Sequence, residues 1–352
     1  YSIYNLNPNE GTDYLNYNRS IDVPTANVYF EGALNYNRIF AQKHSIGGML
    51  VYQLRNNVSL GPATEQESLP YRNIALSGRV TYGYDSRYMA EFNFGYNGSE
   101  RFHPNNQFGF FPSGGVAWNV SNEEWFRSSG LKDVVRMLKL RATYGVVGND
   151  NISSSRFLYL SEINMNNADL TQYFGLQRGY NNSGISVSRY SDPDITWEQA
   201  KKANFGFEIE FRNGLSLITE YYFENRSDIL LTRSNIPSTM GLWAVPSSNV
   251  GEAEAHGVDA SLQFNRQIGK NSWLQLMGNF TFARSKYKIY DDLHYDREWW
   301  LSRVGYSINQ NWGYIAERLF IDDNEVANSP TQFGVYAAGD IKYPDINGDG
   351  VI

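Results

Sequence analysis

Residues 72–97 read RNIALSGRVTYGYDSRYMAEFNFGYN. Two runs alternate apolar and polar side chains around a short turn at 85–87. Ile74, Leu76, Val80, Tyr82 and Tyr84 share one face of the first run, and Ala75, Ser77, Arg79, Thr81 and Gly83 share the other. The second run sets Tyr88, Ala90, Phe92, Phe94 and Tyr96 against Glu91, Asn93, Gly95 and Asn97. Successive strand side chains point to opposite faces, so the stretch predicts a hairpin with one greasy side and one wet side. Strands of about ten residues are longer than the usual globular strand and match a tilted bilayer crossing.

The same alternation recurs along the chain. It marks strands over 28–37, 46–54, 116–120, 138–146, 204–211, 215–223, 258–264 and 274–282, which with the first hairpin makes ten. Arg212-Asn213-Gly214 has the composition of a tight hairpin turn. Connections 39–44, 85–87, 212–214 and 266–272 are mostly short. Connections 55–72, 98–110, 148–202 and 226–254 are long and rich in Asn, Ser, Tyr and Gly. Short turns at one end and long loops at the other is the layout of an outer-membrane barrel. Ser121-Asn122-Glu123-Glu124 reads as a capping box opening a short helix.

Polarity distinguishes the two faces. Arg79, Glu91, Lys139, Arg141, Glu208, Glu210 and Glu220 fall on one side, and the other side has no charge at mid-strand. A charge facing lipid costs about 2–4 kcal/mol at the midplane, so a lipid-facing side must lack them. Tyr82, Tyr84, Tyr88, Tyr96 and Trp273 lie near strand ends, where an interfacial girdle belongs. The expected fold is all-β, a transmembrane antiparallel β-barrel fragment in contact with outer-membrane lipid. Residues 1–24 are expected to form an extracellular loop, and 25–286 the strands with their loops. Residues 287–352 are expected to form a long extracellular excursion carrying local strand, because either register of 304–320 puts polar or charged groups on the lipid side.

Composition supports these limits. The chain has 352 residues, 31 glycines, 26 tyrosines, 20 phenylalanines, 8 tryptophans, no cysteine and a net charge of −7. No window reaches about 18 continuous apolar residues, so no transmembrane helix is expected. The acidic balance argues against nucleic acid as a partner. The polar opening YSIYNLNPNEG lacks the features of a secretory signal, and the chain is expected to be a piece of a longer polypeptide.

Six blocks resemble SusC-like TonB-dependent transporters: 84–102, 110–126, 138–149, 193–211, 249–264 and GDIKYPDINGDGVI at 339–352. The resemblance implies a barrel of about 22 strands with a plugged lumen. It also implies import of glycans or oligopeptides with a SusD-like surface lipoprotein. Further implied partners are the remainder of the barrel, its plug, and TonB acting through a region N-terminal to Tyr1. An alternative is a surface β-protein that binds carbohydrate or partners without transport.

No enzymatic motif stands out. Ser129 and Lys132 have Ser-x-x-Lys spacing without companion motifs, and the four histidines are scattered. Asp345, Asn347 and Asp349 followed by Gly350 match the start of a calcium loop, with the Val351 carbonyl at position seven. The acidic ligand of position twelve would fall after Ile352. A Ca2+ ion at 345–352 is therefore one expectation, and a metal-free Asx-rich turn is the other. Tyr173, Tyr180, Tyr190, Trp243, Trp299 and Trp300 lie in long connections. Flat aromatic faces there suit sugar rings, a lid protein, or loop–loop packing.

Overall fold

A computed structural model describes residues 25–59, 68–293 and 299–352. The expected loop at 1–24 lies outside the described residues. The first hairpin is present as β3 (Tyr71–Tyr84) and β4 (Tyr88–Ser99), preceded by β1 (Thr25–Phe40) and β2 (His44–Ser59). Then follow β5 (Phe108–Asn119), β6 (Val135–Asn149), β7 (Glu162–Phe174), β8 (Tyr180–Arg189), β9 (Glu198–Phe211), β10 (Leu215–Thr232), β11 (Ser247–Gln267) and β12 (Trp273–Ile289). Ten of these form one antiparallel sheet in the order β1-β2-β3-β4-β5-β6-β9-β10-β11-β12. The sheet is part of a barrel wall, with β1 and β12 at its open edges. Among the described residues no helix is long and apolar enough to cross a membrane.

Directly opposed residues of an antiparallel pair share a face, so the register tests the polarity argument. Val80 opposes Phe92, Trp118 opposes Leu140, Leu140 opposes Phe207, and Tyr221 opposes Val258. One face is thus continuously apolar across strands far apart in sequence. On the other face Arg79 opposes Asn93, Lys139 opposes Glu208, and Glu220 opposes Asp259. The apolar face is not packed into a core: Leu34 is 72% exposed and Phe280 60%. Each such side chain withdrawn from water into acyl chains contributes about 1.5–3 kcal/mol. The band is bracketed by charge. On the apolar face Arg266 opposes Leu274 beside the 268–272 turn, and His256 opposes Arg284 two residues beyond Phe282.

Turn chemistry sets the short connections. Asp85 and Ser86 both take positive φ (50° and 54°), and the Arg87 amide donates to the Tyr84 carbonyl at 2.9 Å. That geometry matches the right-handed twist of the strands it joins. Gly214 has φ +94°, and a Cβ there would collide with the Asn265 carbonyl oxygen.

Three local expectations are corrected. The capping box does not form: the helix α1 (Glu124–Ser128) starts after Glu123, which makes no side-chain cap bond, and the Ser121 hydroxyl bonds Asn119 instead. Glu123 is held elsewhere, accepting from Trp118 Nε1 at 2.9 Å and Arg87 at 3.3 Å. The fifth strand begins at Phe108 rather than 116. Its pairing with β6 starts only at Ser113, just past Pro112, whose missing N–H cannot serve that ladder. Finally, the 148–202 connection is not all loop, because β7 and β8 pair as a separate hairpin inside it.

Beyond β12, Val304–Phe320 contains no strand of membrane length. Its regular pairing is limited to β13 (Arg318–Leu319) against β14 (Ile341–Lys342). A short helix, α2 (Asp323–Ala327), is capped by the Asp322 carboxylate, which accepts from the Glu325 amide at 2.8 Å.

Candidate functional site

The inner face of the wall carries a lattice of ions. Arg141 bonds Glu208 at 3.1 Å and also pairs with Glu220, which accepts from Asn204 at 2.8 Å. Lys139 sits 3.7 Å from Glu208, and Arg79 pairs with Glu91 at 2.6 Å. Gly206 leaves room for this lattice, since a Cβ there would strike the Arg141 side chain. The charges expected on one face are therefore on one face and engaged with one another. They line a polar interior rather than converging on a reacting centre.

At the long-loop end the connections fold onto the wall. Phe102, Phe111, Leu158, Ile195 and Trp197 form a small buried core, with Val146, Ile152 and Leu230 packed against it. Trp197 Nε1 donates to the Gln107 carbonyl at 3.2 Å. Arg156 donates to the carbonyls of Leu69 and Pro70 and stacks over Tyr71, 3.6 Å from its ring centre. Asp150 accepts from Ser99 Oγ at 2.7 Å. The sequence reading passed over this cap. Its signal was available: Ile152, Phe157, Leu158, Ile195 and Trp197 are large apolar residues scattered through an otherwise polar connection.

The six loop aromatics do not form one site. Tyr173 and Tyr180 stand near the tip of the β7–β8 hairpin, 58% and 62% exposed, and Tyr180 meets Phe174 with centroids 6.2 Å apart. Tyr190 and Trp243 are brought together, the Trp243 amide donating to the Tyr190 hydroxyl at 3.3 Å. Trp299 and Trp300 pack edge to face at 5.7 Å. Among the described residues no hydrogen bond or ring contact joins these three groups. A further aromatic cluster that the sequence reading did not single out, Tyr314, Phe333 and Tyr343, has ring separations of 4.6, 5.2 and 5.6 Å.

The 345–352 loop is bonded within itself. Asp345 accepts from the Gly350 amide at 2.8 Å, the chief cause holding its carboxyl below the usual range, and from the Gly348 amide at 2.7 Å. Asn347 Nδ2 donates to Asp349 at 2.8 Å, and the Asp349 carboxylate accepts from the Val351 amide at 2.9 Å. Gly348 and Gly350 supply positive φ of 74° and 86°. Among the described residues no group of three or more His, Cys, Asp or Glu side chains is placed to hold a metal ion. The loop offers two carboxylates, one side-chain amide and the Val351 carbonyl, a donor set that fits a 6–8-coordinate calcium only with water at the other positions.

An extended sheet with a continuous exposed apolar band outside and an ionic lattice inside defines the wall of a transmembrane β-barrel. Comparison with known proteins agrees. A profile described as "TonB dependent receptor-like, beta-barrel" matches residues 1–349, and the chain belongs to this family of outer-membrane proteins. It is 27% identical to TonB-dependent receptor P3 of Formosa agariphila, over 97% of this chain and 34% of that protein. It is 30% identical to TonB-dependent receptor SusC of Bacteroides thetaiotaomicron, over 63% of this chain and 22% of that protein. In three dimensions it resembles the RagAB peptide importer in its closed-closed state, with TM-score 0.67 and 20% identity, covering 93% of this chain and 37% of that one. The chain thus spans about a third of the curated relatives it matches at greatest length.

Proposed function

We propose that this chain forms the wall and docking loops of a TonB-dependent nutrient importer for oligopeptides or glycans. Its 100–107, 150–197 and 233–246 connections face outward, where a SusD-like lipoprotein closes over them. TonB acts through the plug, and no bond is broken in the cargo. The carrying observation is the asymmetry of the wall's two ends. One is closed by tight turns and the 120–134 connection that carries α1, and the other is covered by loops folded around Phe102 and Trp197. A passive surface protein has no need of a rigid loop platform beside an ion-lined interior. The fold shared with a peptide importer and the similarity to SusC support the same reading.

The test is uptake. Deleting the full-length gene in its native host should abolish growth on one class of oligomer as sole nutrient, and loss of the adjacent lipoprotein should reproduce the defect. Growth unaffected on every oligopeptide and glycan supplied would overturn the proposal. Calcium at 345–352 is part of it: the ion would replace the Asn347–Asp349 bond, with Asp345, Asn347, Asp349 and the Val351 carbonyl as ligands. Millimolar calcium should then raise the melting temperature of the full-length protein, and D345N should erase that rise.

A further inference from the structure

We propose that a cleft at the long-loop end of the inner wall binds a carboxylate carried by the cargo. This rests on the importer reading only in calling the ligand cargo. The cleft, about 340 Å3, lies between the ends of β2, β3 and β4 and the 150–156 segment. Its floor is the inner face of three strands, where Arg55 opposes Asn73, Asn73 opposes Ser99, and Asn57 opposes Tyr71. The chain itself builds these walls.

Charge points to the ligand. Arg55, Arg101 and Arg156 line the cleft with Asp150, while Arg72, on the face of Ile74, reaches its rim beside Glu100. This local excess of positive charge stands in a chain of net charge −7. The two acids are already engaged: Asp150 accepts from Ser99 and Asn73, and Glu100 pairs with Arg72 at 3.4 Å. Arg101 and Arg156 both approach the Tyr71 ring, at 5.9 and 3.6 Å. Burial and the nearby Arg101 charge both push the Arg156 guanidinium below its usual range, with burial the larger cause. An anion entering the cleft relieves that crowding, and guanidinium forks match carboxylate geometry.

A second observation is independent of charge. Asn57 Oδ1 is buried and has no hydrogen-bond partner among the described residues. A buried acceptor without a donor is costly, and a turn of the Asn57 side chain toward the cleft lets a ligand N–H or O–H beside the carboxylate satisfy it. The shared chemistry is a carboxylate flanked by a donor. It is found on acidic peptides and on uronate oligosaccharides.

The experiment uses the complete transporter and isothermal titration with four probes: tetragalacturonate, an Asp-rich tetrapeptide, maltotetraose and an uncharged capped tetrapeptide. At least one acidic probe should bind about tenfold tighter than its neutral counterpart, as one charge-assisted contact predicts. R55Q should remove most of that preference without changing neutral binding, and R55K should restore part of it. Preference for the tetragalacturonate or for the peptide names the source. Equal binding of acidic and neutral probes overturns the proposal. So does an acid preference unchanged in R55Q, or no binding of either acidic probe by protein that melts normally. Uptake in cells without any acid preference sinks the cleft alone, whereas acid binding without uptake sinks the importer reading alone.

Discussion

Replacing Phe92 with arginine tests which side of the wall meets lipid. Phe92 lies on the apolar face opposite Val80 and Gly114, four residues from Tyr88 and four from Tyr96. Four residues at about 3.4 Å each, tilted about 40°, place it about 10 Å along the membrane normal from either tyrosine. A band about 25 Å tall therefore has Phe92 near its middle, where an arginine costs about 2–4 kcal/mol. Comparison with F92A removes the lost ring from the difference. The control is N93R, one residue along, on the face that carries Glu91 and Arg79. Its side chain enters the polar interior, with an expected cost under about 1 kcal/mol. The assay is reversible urea unfolding of the full-length barrel in lipid vesicles, followed by tryptophan fluorescence. Equal costs for F92R and N93R, or an F92R cost indistinguishable from F92A, would refute the assignment of faces.

Truncating Arg141 to methionine should cost about 1–2 kcal/mol, because Glu208 and Glu220 lose a shared partner on a face only partly open to water. Adding E220Q should recover part of this in a double-mutant cycle in the same vesicles. Trp197 is 6% exposed at the centre of the loop cap, and W197A should cost the cap about 3 kcal/mol. Limited proteolysis should then cut within 150–197 faster while strand protection is unchanged. The Glu325 carboxyl is pushed down to about 2, chiefly by Arg318, with the Ile321 amide and Lys342 assisting at 2.9 Å each. A folded value below the ordinary 4.5 means its contribution is present above pH 4.5 and lost as pH falls toward 2. Hydrogen exchange at 318–342 should accelerate across that window, and E325Q should abolish the pH dependence.

How far the sequence could be read depended on the range of the forces involved. Alternation along one strand is a local property, because each side chain's face follows from backbone geometry alone. It therefore revealed Val80, Phe92 and Phe205 as one surface, and Arg79, Lys139 and Glu208 as another, before any pairing was known. Tight turns such as 85–87 and 212–214 are likewise written in adjacent residues.

The loop cap was legible only as large apolar residues in a polar connection, since Phe102, Leu158 and Trp197 carry no periodicity and meet only because the wall holds their loops together. Register was also hidden. That Arg141 reaches both Glu208 and Glu220, or that Arg55, Asn73 and Ser99 stand side by side, follows from strand alignment across long connections. The β7–β8 hairpin escaped because its alternation is weak and interrupted by register shifts. The sequence alone determined that the chain is a lipid-facing β-wall with a charged lining, because burial preference acts residue by residue. Only the tertiary structure decided which charges are neighbours and where the cleft lies, because those contacts depend on distances between residues that the chain keeps far apart.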